Sequence, residues 1–146
     1  MKLLVINGPN LNLLGKREIN IYGEMTLEEI NNCIINHFKN DSVQFEFFQS
    51  NCEGEIIDAL HNSFDFNGVI LNAGAYSHYS IAILDAIKSI DVPVIEVHLS
   101  NIFSREDFRS KSIISDSCIG VITGFGYYGY IMAVSAFLNR VGELNV

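Results

Sequence analysis

Hydrophobic positions along this chain switch repeatedly between a strand-like and a helix-like spacing. The run Leu3-Leu4-Val5-Ile6 within 2–6 is unbroken, as in a strand buried on both faces. "TLEEINNCIINHF", 26–38, then keeps Leu27, Ile30, Ile34 and Phe38 on one helical face, and Thr26 with Glu29 forms a capping box at its start. "VQFEFF", 43–48, alternates and predicts a strand less buried than the others. "EGEIIDALHNSF", 53–64, predicts a second helix and "GVIL", 68–71, a short apolar strand. "HYSIAILDAIKSI", 78–90, predicts a third helix. "VPVIEV", 92–97, predicts a fourth strand, with Pro93 near its start, where a missing N–H is tolerated. "IGVIT", 119–123, predicts a fifth strand and "GYIMAVSAFLNRV", 129–141, the last helix.

Strands alternating with helices predict a parallel sheet covered on both faces. Right-handed crossovers in a chain of 146 residues favour an α/β, flavodoxin-like, doubly wound five-stranded parallel sheet, a single domain over 1–146. Ligands of such sheets bind beyond the carboxyl ends of the strands. Here those ends lead into "NGPN", "NAGAYSH", "HLSN" and "TGFGYYG". The first connection, from 7 to 25, far exceeds the about 2–6 residues that usually join a strand to a helix. It carries Lys16, Arg17 and Tyr22.

Composition narrows the function classes. A hydrophobic fraction of 49% belongs to a folded protein. A net charge of −8 argues against nonspecific attraction to nucleic acid or acidic membranes. An anionic substrate would need local arginines or backbone N–H groups. Cys33, Cys52 and Cys118 are scattered, with neither a disulfide pattern nor zinc spacing, and suit reduced packing residues in a cytoplasmic protein. "MKLLVING" is too short for a signal peptide, and no apolar run reaches membrane-span length.

Several segments carry candidate chemistry. "GFGYYG", 124–129, matches GxGxxG, but no following strand supplies the acidic residue of a dinucleotide site, so tight strand–helix packing is the better reading. GxxxxGK[ST], HExxH and GxSxG are absent. His98 ends the fourth strand, where an imidazole can serve as general acid or base. Glu96 lies on the same strand face and can orient it. Leu99 and Ser100 follow, with backbone N–H groups able to meet an anion. "SREDFR" predicts a short helix capped by Ser104 that puts Arg105 and Arg109 on one face. Asn72 and His78 suit recognition of hydroxyls and a carboxylate. Asp85, seven residues after His78 on the same predicted helix, lies roughly 10 Å from it. That is too far to share one small ligand, so it serves either a neighbouring subunit or the surface. For each of these residues local turn bonding or solvation is the alternative. His37 and His61 fall away from the ligand edge and read as surface or structural.

Together these segments resemble type II 3-dehydroquinate dehydratases. The motifs are "INGPNLNLLGKRE…YG", "SNCEGEIIDALH", "VILNAGAYSHYSIAILDAI", "PVIEVHLSNIFSREDFR" and "GVITGFGYYGY", in the family's order over nearly the whole chain. The resemblance implies a flavodoxin-like enzyme that forms dodecamers of four trimers. It implies removal of water from 3-dehydroquinate by anti elimination through an enolate, in the shikimate pathway or quinate breakdown. It implies no metal, no organic cofactor and no lysine imine.

The same resemblance assigns roles. Tyr22 matches the base that takes the proton alpha to the ketone. A free phenol has pKa about 10, and a nearby cation favours the tyrosinate; Arg17 matches the arginine with that task. Asn10 matches the residue holding a water at the enolate oxygen, and His98 the acid that protonates the departing hydroxyl, with Glu96 as its partner. Substrate contacts carry over to Asn72, His78, Arg109, the backbone of Leu99 and Ser100, and Asp85 of an adjacent subunit. Arg105 matches another basic position facing the loop. Two positions depart from the family: Ile19 stands where a Pro is frequent, and "SDSCIG" replaces a Ser-Pro segment before the fifth strand. The rival class is a flavodoxin-like ligand-binding or signalling module. A phospho-receiver, however, wants clustered acids after strand one, where this chain has "NGPN".

Overall fold

The structure is a computed structural model that describes residues 1–140. Five strands form one all-parallel sheet: β1 (Lys2–Asn7), β2 (Gln44–Gln49), β3 (Gly68–Asn72), β4 (Val94–His98) and β5 (Gly120–Thr123). Their spatial order is β2-β1-β3-β4-β5, the flavodoxin-like arrangement in which the order reverses at β1. The main helices are α1 (Ile19–Tyr22), α2 (Leu27–His37), α3 (Glu53–His61), α4 (Ile81–Lys88) and α5 (Tyr128–Arg140).

The period-2 geometry of the strands explains the two cores. Leu3 and Val5 of β1 face α2 and α5, where Ile30, Ile34, Val134 and Phe137 pack. Leu4 and Ile6 face α3 and α4, where Ile56, Leu60, Ile83 and Ile87 pack. Each such fully buried aliphatic side chain is worth about 1.5–3 kcal/mol relative to exposure. β2 is an edge strand; from Gln44 to Phe47 its residues alternate between exposed and half-buried, as the "VQFEFF" pattern predicts, and Phe48 and Gln49 are half-buried too. The capping box at α2 is present: the Glu29 N–H donates to the Thr26 hydroxyl, and the Glu29 carboxylate accepts from the Thr26 N–H at 2.8 Å.

Two expected helices come out differently. The third does not run from His78. Residues Gly74–His78 form a tight 3-10 turn, and Ser80 starts α4 afresh by accepting from the Ile83 N–H. His78 and Asp85 therefore share no helix face. The segment 104–109 is not one helix either. Arg105 and Glu106 have extended backbones between two 3-10 turns, Ile102–Ser104 and Asp107–Arg109. The long first loop has structure of its own, a 3-10 turn at Leu11–Leu13 and the one-turn helix α1. The expected last residue of the final helix, 141, lies outside the described residues.

All five strands end at one edge, which brings Asn7, Asn72 and His98 close together. Asn7 is in register with Asn72, and the Gly8 N–H donates to the Asn72 carbonyl at 2.8 Å. A Cβ at Gly8 would sit 2.5 Å from the Ala73 carbonyl oxygen, so only glycine lets the two strand exits run this close.

Candidate active site

A polar pocket opens at this edge. Its walls include Asn10, Arg17, Tyr22, Asn72, His78, His98, Leu99, Ser100, Arg105 and Arg109. The residues come from the first loop, the last residues of β3 and β4, and the segments that follow those two strands. Glu96 lies beneath the wall, behind His98. Asp85 is exposed on α4 and does not line the pocket.

The floor is the turn after β1. Asn10 has φ 68°, a left-handed conformation that asparagine tolerates better than most residues. Its N–H donates to the Asn51 Oδ1 at 2.9 Å, and Gln49 bonds both Gly8 and Asn51 at 3.2 Å. The loop after β2 thus pins the floor.

The roof is α1. Glu18, at φ 43°, and Gly23, at φ 85°, bracket it. Two guanidinium groups lie against Tyr22. Arg105 Nη1 donates to the phenol oxygen at 2.7 Å and also approaches the Ser100 hydroxyl at 3.4 Å. Arg17 lies over the ring face, its Cζ 5.2 Å from the centroid, and pairs with Glu18 at 3.1 Å. Arg17 Nε is buried without a hydrogen-bond partner. Sequence reasoning put Arg17 beside the phenol and left Arg105 without a firm role. In this structure the direct bond to oxygen belongs to Arg105, because the extended backbone at 105 lets the side chain reach the roof.

On the opposite wall, His98 and Glu96 project from the same face of β4. His98 Nε2 meets Glu96 Oε1 at 2.6 Å, with Glu96 fully buried and His98 nearly so. Burial pushes the Glu96 carboxyl up, but the bond and charge of His98 and two serine hydroxyls outweigh it and hold the group below its ordinary value. Those hydroxyls, Ser112 and Ser115, each donate at 2.6 Å. Because Nε2 is committed to Glu96, Nδ1 is the ring nitrogen left for a ligand.

The His78 ring stacks 6.0 Å from that of His98. Its Nδ1–H donates to the Lys111 carbonyl at 2.9 Å, since a carbonyl can only accept. Burial is the main cause that lowers its pKa, so the neutral ring keeps Nε2 as an acceptor. Asn72 is fixed at both ends. Its Nδ2 donates to the Tyr130 hydroxyl at 2.9 Å, and its Oδ1 accepts from the Gly74 N–H at 3.2 Å. Tyr130 in turn donates to Asn7 Oδ1 at 2.5 Å, and its burial pushes the phenol pKa up, so it stays a neutral donor. The carbonyls of Leu99 and Ser100 are occupied by the Gly126 N–H and the Thr123 hydroxyl, which holds this stretch in place. Arg109 pairs with Glu106 at 3.1 Å.

Sequence reasoning assigned no role to Ser112, Ser115, Tyr130 or Asn51, although the motifs that carry the resemblance include Asn51 and Tyr130. The pocket sets a phenol held by a cation opposite a carboxylate-backed imidazole, with neutral donors and acceptors between them. Such a pair can take a proton at one position of a small polar molecule and give one at another.

A family model described as "Dehydroquinase class II" matches residues 1–138. A 3-dehydroquinate dehydratase of Clostridium botulinum is 60% identical over 144 residues, covering 98% of this chain and 95% of that protein. The crystal structure of a type II dehydroquinase from Butyrivibrio crossotus superposes with a TM-score of 0.92 at 47% identity, over 94% of this chain and 97% of that one. A type II dehydroquinase from Propionibacterium acnes superposes with a TM-score of 0.90 at 39% identity, over 94% and 96%. The chain belongs to the class II dehydroquinase family.

Proposed function

We propose that this chain is a 3-dehydroquinate dehydratase, a hydro-lyase of the shikimate pathway that releases 3-dehydroshikimate and water. The observation that carries the reading is the pairing, in one pocket, of Tyr22 under the Arg105 guanidinium with His98 on the Glu96 carboxylate.

Tyr22, as the phenolate, takes the proton alpha to the ketone. Arg105 stabilises the phenolate by a charge-assisted bond and Arg17 from the ring face. The C–H electron pair moves into the ketone to form the enolate, and Asn10 holds a water at its oxygen. The enolate pair then returns to form the carbon–carbon double bond. The C–O bond to the hydroxyl breaks as His98 Nδ1 gives up a proton, and water leaves. The outcome is an anti elimination, with base and acid on opposite walls. Asn72, His78, Arg109 and the N–H groups of Leu99 and Ser100 hold the substrate. The mechanism calls for no metal, cofactor or lysine imine.

Asp85 would reach this pocket from an adjacent copy. The surface around it supports such a contact, since Tyr79 is 62% and Ile81 64% exposed beside it. We read the assembly as a dodecamer of four trimers, each copy a single domain over 1–146, in the cytoplasm.

Incubation with 3-dehydroquinate, with the product identified by mass spectrometry, tests the activity. A product lighter by one water supports it; recovery of unchanged substrate from folded protein overturns it.

A further inference from the structure

The 110–118 segment, of which the motif reading marks only "SDSCIG" from 115 onward as a departure, supplies two of the three donors on the buried carboxylate behind His98. Glu96 Oε1 accepts from both His98 Nε2 and Ser112 Oγ, and Oε2 from Ser115 Oγ, all at 2.6 Å. Glu96 is completely buried. Each serine has one hydrogen to give. Ser112 commits it here rather than to the Ser77 carbonyl, 3.4 Å away. A protonated Glu96 would press its own hydrogen against one of these donors.

We infer that Ser112 and Ser115 are positioning residues that keep Glu96 as an anion, so that the doubly protonated imidazolium the elimination requires of His98 has a negative partner across Nε2. The logic follows from the ring. Nε2 faces Glu96, so a neutral ring carrying its hydrogen there presents only a lone pair at Nδ1 and cannot serve as an acid. The proton must therefore be a second one, and an ionised partner across Nε2 favours it. The other titratable groups around the pair do not do this. His78, from the turn after β3, Arg105 and Arg109, from the segment after β4, and Arg17, from the first loop, carry positive charge or none. Cys118 faces Glu96 with its thiol pushed up to about 12 by burial and by that carboxylate, so it stays neutral. Glu18, paired with Arg17, belongs to the roof, and Tyr22 is the base.

This inference rests on the dehydratase reading, and its test separates the two. Wild type, Ser115→Ala, Ser112→Ala and Ser115→Thr are assayed with 3-dehydroquinate in D2O, following both product and deuterium at the alpha carbon of unreacted substrate. The alanine variants slow the acid step without touching the base. The expected result is a fall in kcat of about tenfold or more, the size of a lost bond to a charged group, with KM nearly unchanged. The ratio of alpha-carbon exchange to turnover should rise, because more enolate returns to substrate. The primary isotope effect of alpha-deuterated substrate should fall, and Ser115→Thr should restore all three values. If an alanine variant loses kcat with exchange and isotope effect at wild-type values, or loses nothing, the inference is overturned. Ser112→Ala leaves one donor on each carboxylate oxygen, so the readout survives if Ser115→Ala does not fold. An inactive wild type would fail the dehydratase reading instead.

Discussion

Arg105 bonds the phenol oxygen of Tyr22 at 2.7 Å, although the two residues are 83 positions apart in the chain. This contact ties the roof helix α1 to the segment after β4. It makes Arg105, with Arg17, a cation on the proposed base. Arg105→Met keeps much of the side-chain volume and removes the charge. The expected result is a fall in kcat of roughly ten- to a hundredfold, from the loss of a hydrogen bond to a charged group. Arg17→Ala should also lower kcat severely. Wild-type kcat in Arg105→Met would remove it from this role.

Tyr130 links Asn72 to Asn7 beneath the pocket, and all three side chains are buried. Tyr130→Phe keeps the ring and strips the donor from Asn7. An unsatisfied buried acceptor costs about 1–3 kcal/mol, so the urea midpoint should drop accordingly. KM should rise more than kcat falls, since Asn72 loses one of its two fixed ends. An unchanged midpoint and KM would show the link to be without consequence.

The Glu96 carboxyl is held below its ordinary value in the folded state. A group depressed on folding adds stability above its unfolded pKa, ordinarily about 4.3 for a glutamate. That stability is lost as pH falls through the lower folded value. Wild-type stability should therefore decline on acidification below about pH 4.3, and Glu96→Gln should remove part of that decline. Urea unfolding across this range measures both slopes. Parallel curves for the two proteins would contradict the argument.

Asp85 sits on an exposed face of α4, away from its own pocket. If it completes a neighbour's site, Asp85→Ala and Tyr22→Phe should complement each other. Coexpressed, they form mixed assemblies in which some pockets carry both intact residues. Activity above the sum of the separate variants is expected, together with a sedimentation mass of a dodecamer. No recovery in demonstrably mixed assemblies would leave Asp85 without a site role.

The strands and main helices were legible because burial imposes a local period, as at Leu3 to Ile6 and at Ile30 and Ile34. Two breaks were not. Ser80 caps α4 from within an apolar-periodic stretch, and Arg105 is extended inside a sequence that spaces like a helix. Both are decided by tertiary contacts, Ser80 by its bond to Glu53 and Arg105 by Tyr22. Asn72 and His98 were legible from their place at strand ends, whereas the roles of Asn10, Arg17 and Tyr22 came from the family resemblance. Ser112, Ser115 and Tyr130 were not legible, because each acts through bonds to residues distant in sequence and leaves no periodic trace. The departure "SDSCIG" proves harmless to one such bond: the 3-10 turn at Ser115–Ser117 still offers Ser115 to Glu96. Ile19, the other departure, begins α1 with its side chain exposed.

The most direct measurement is the rise in absorbance of the conjugated enone when 3-dehydroquinate is mixed with wild type and with Tyr22→Phe side by side, at saturating substrate. A steady rise with wild type, insensitive to borohydride, and none with a Tyr22→Phe protein that still binds substrate is the predicted result. A flat trace from folded wild type, or equal rates from the two proteins, would contradict it.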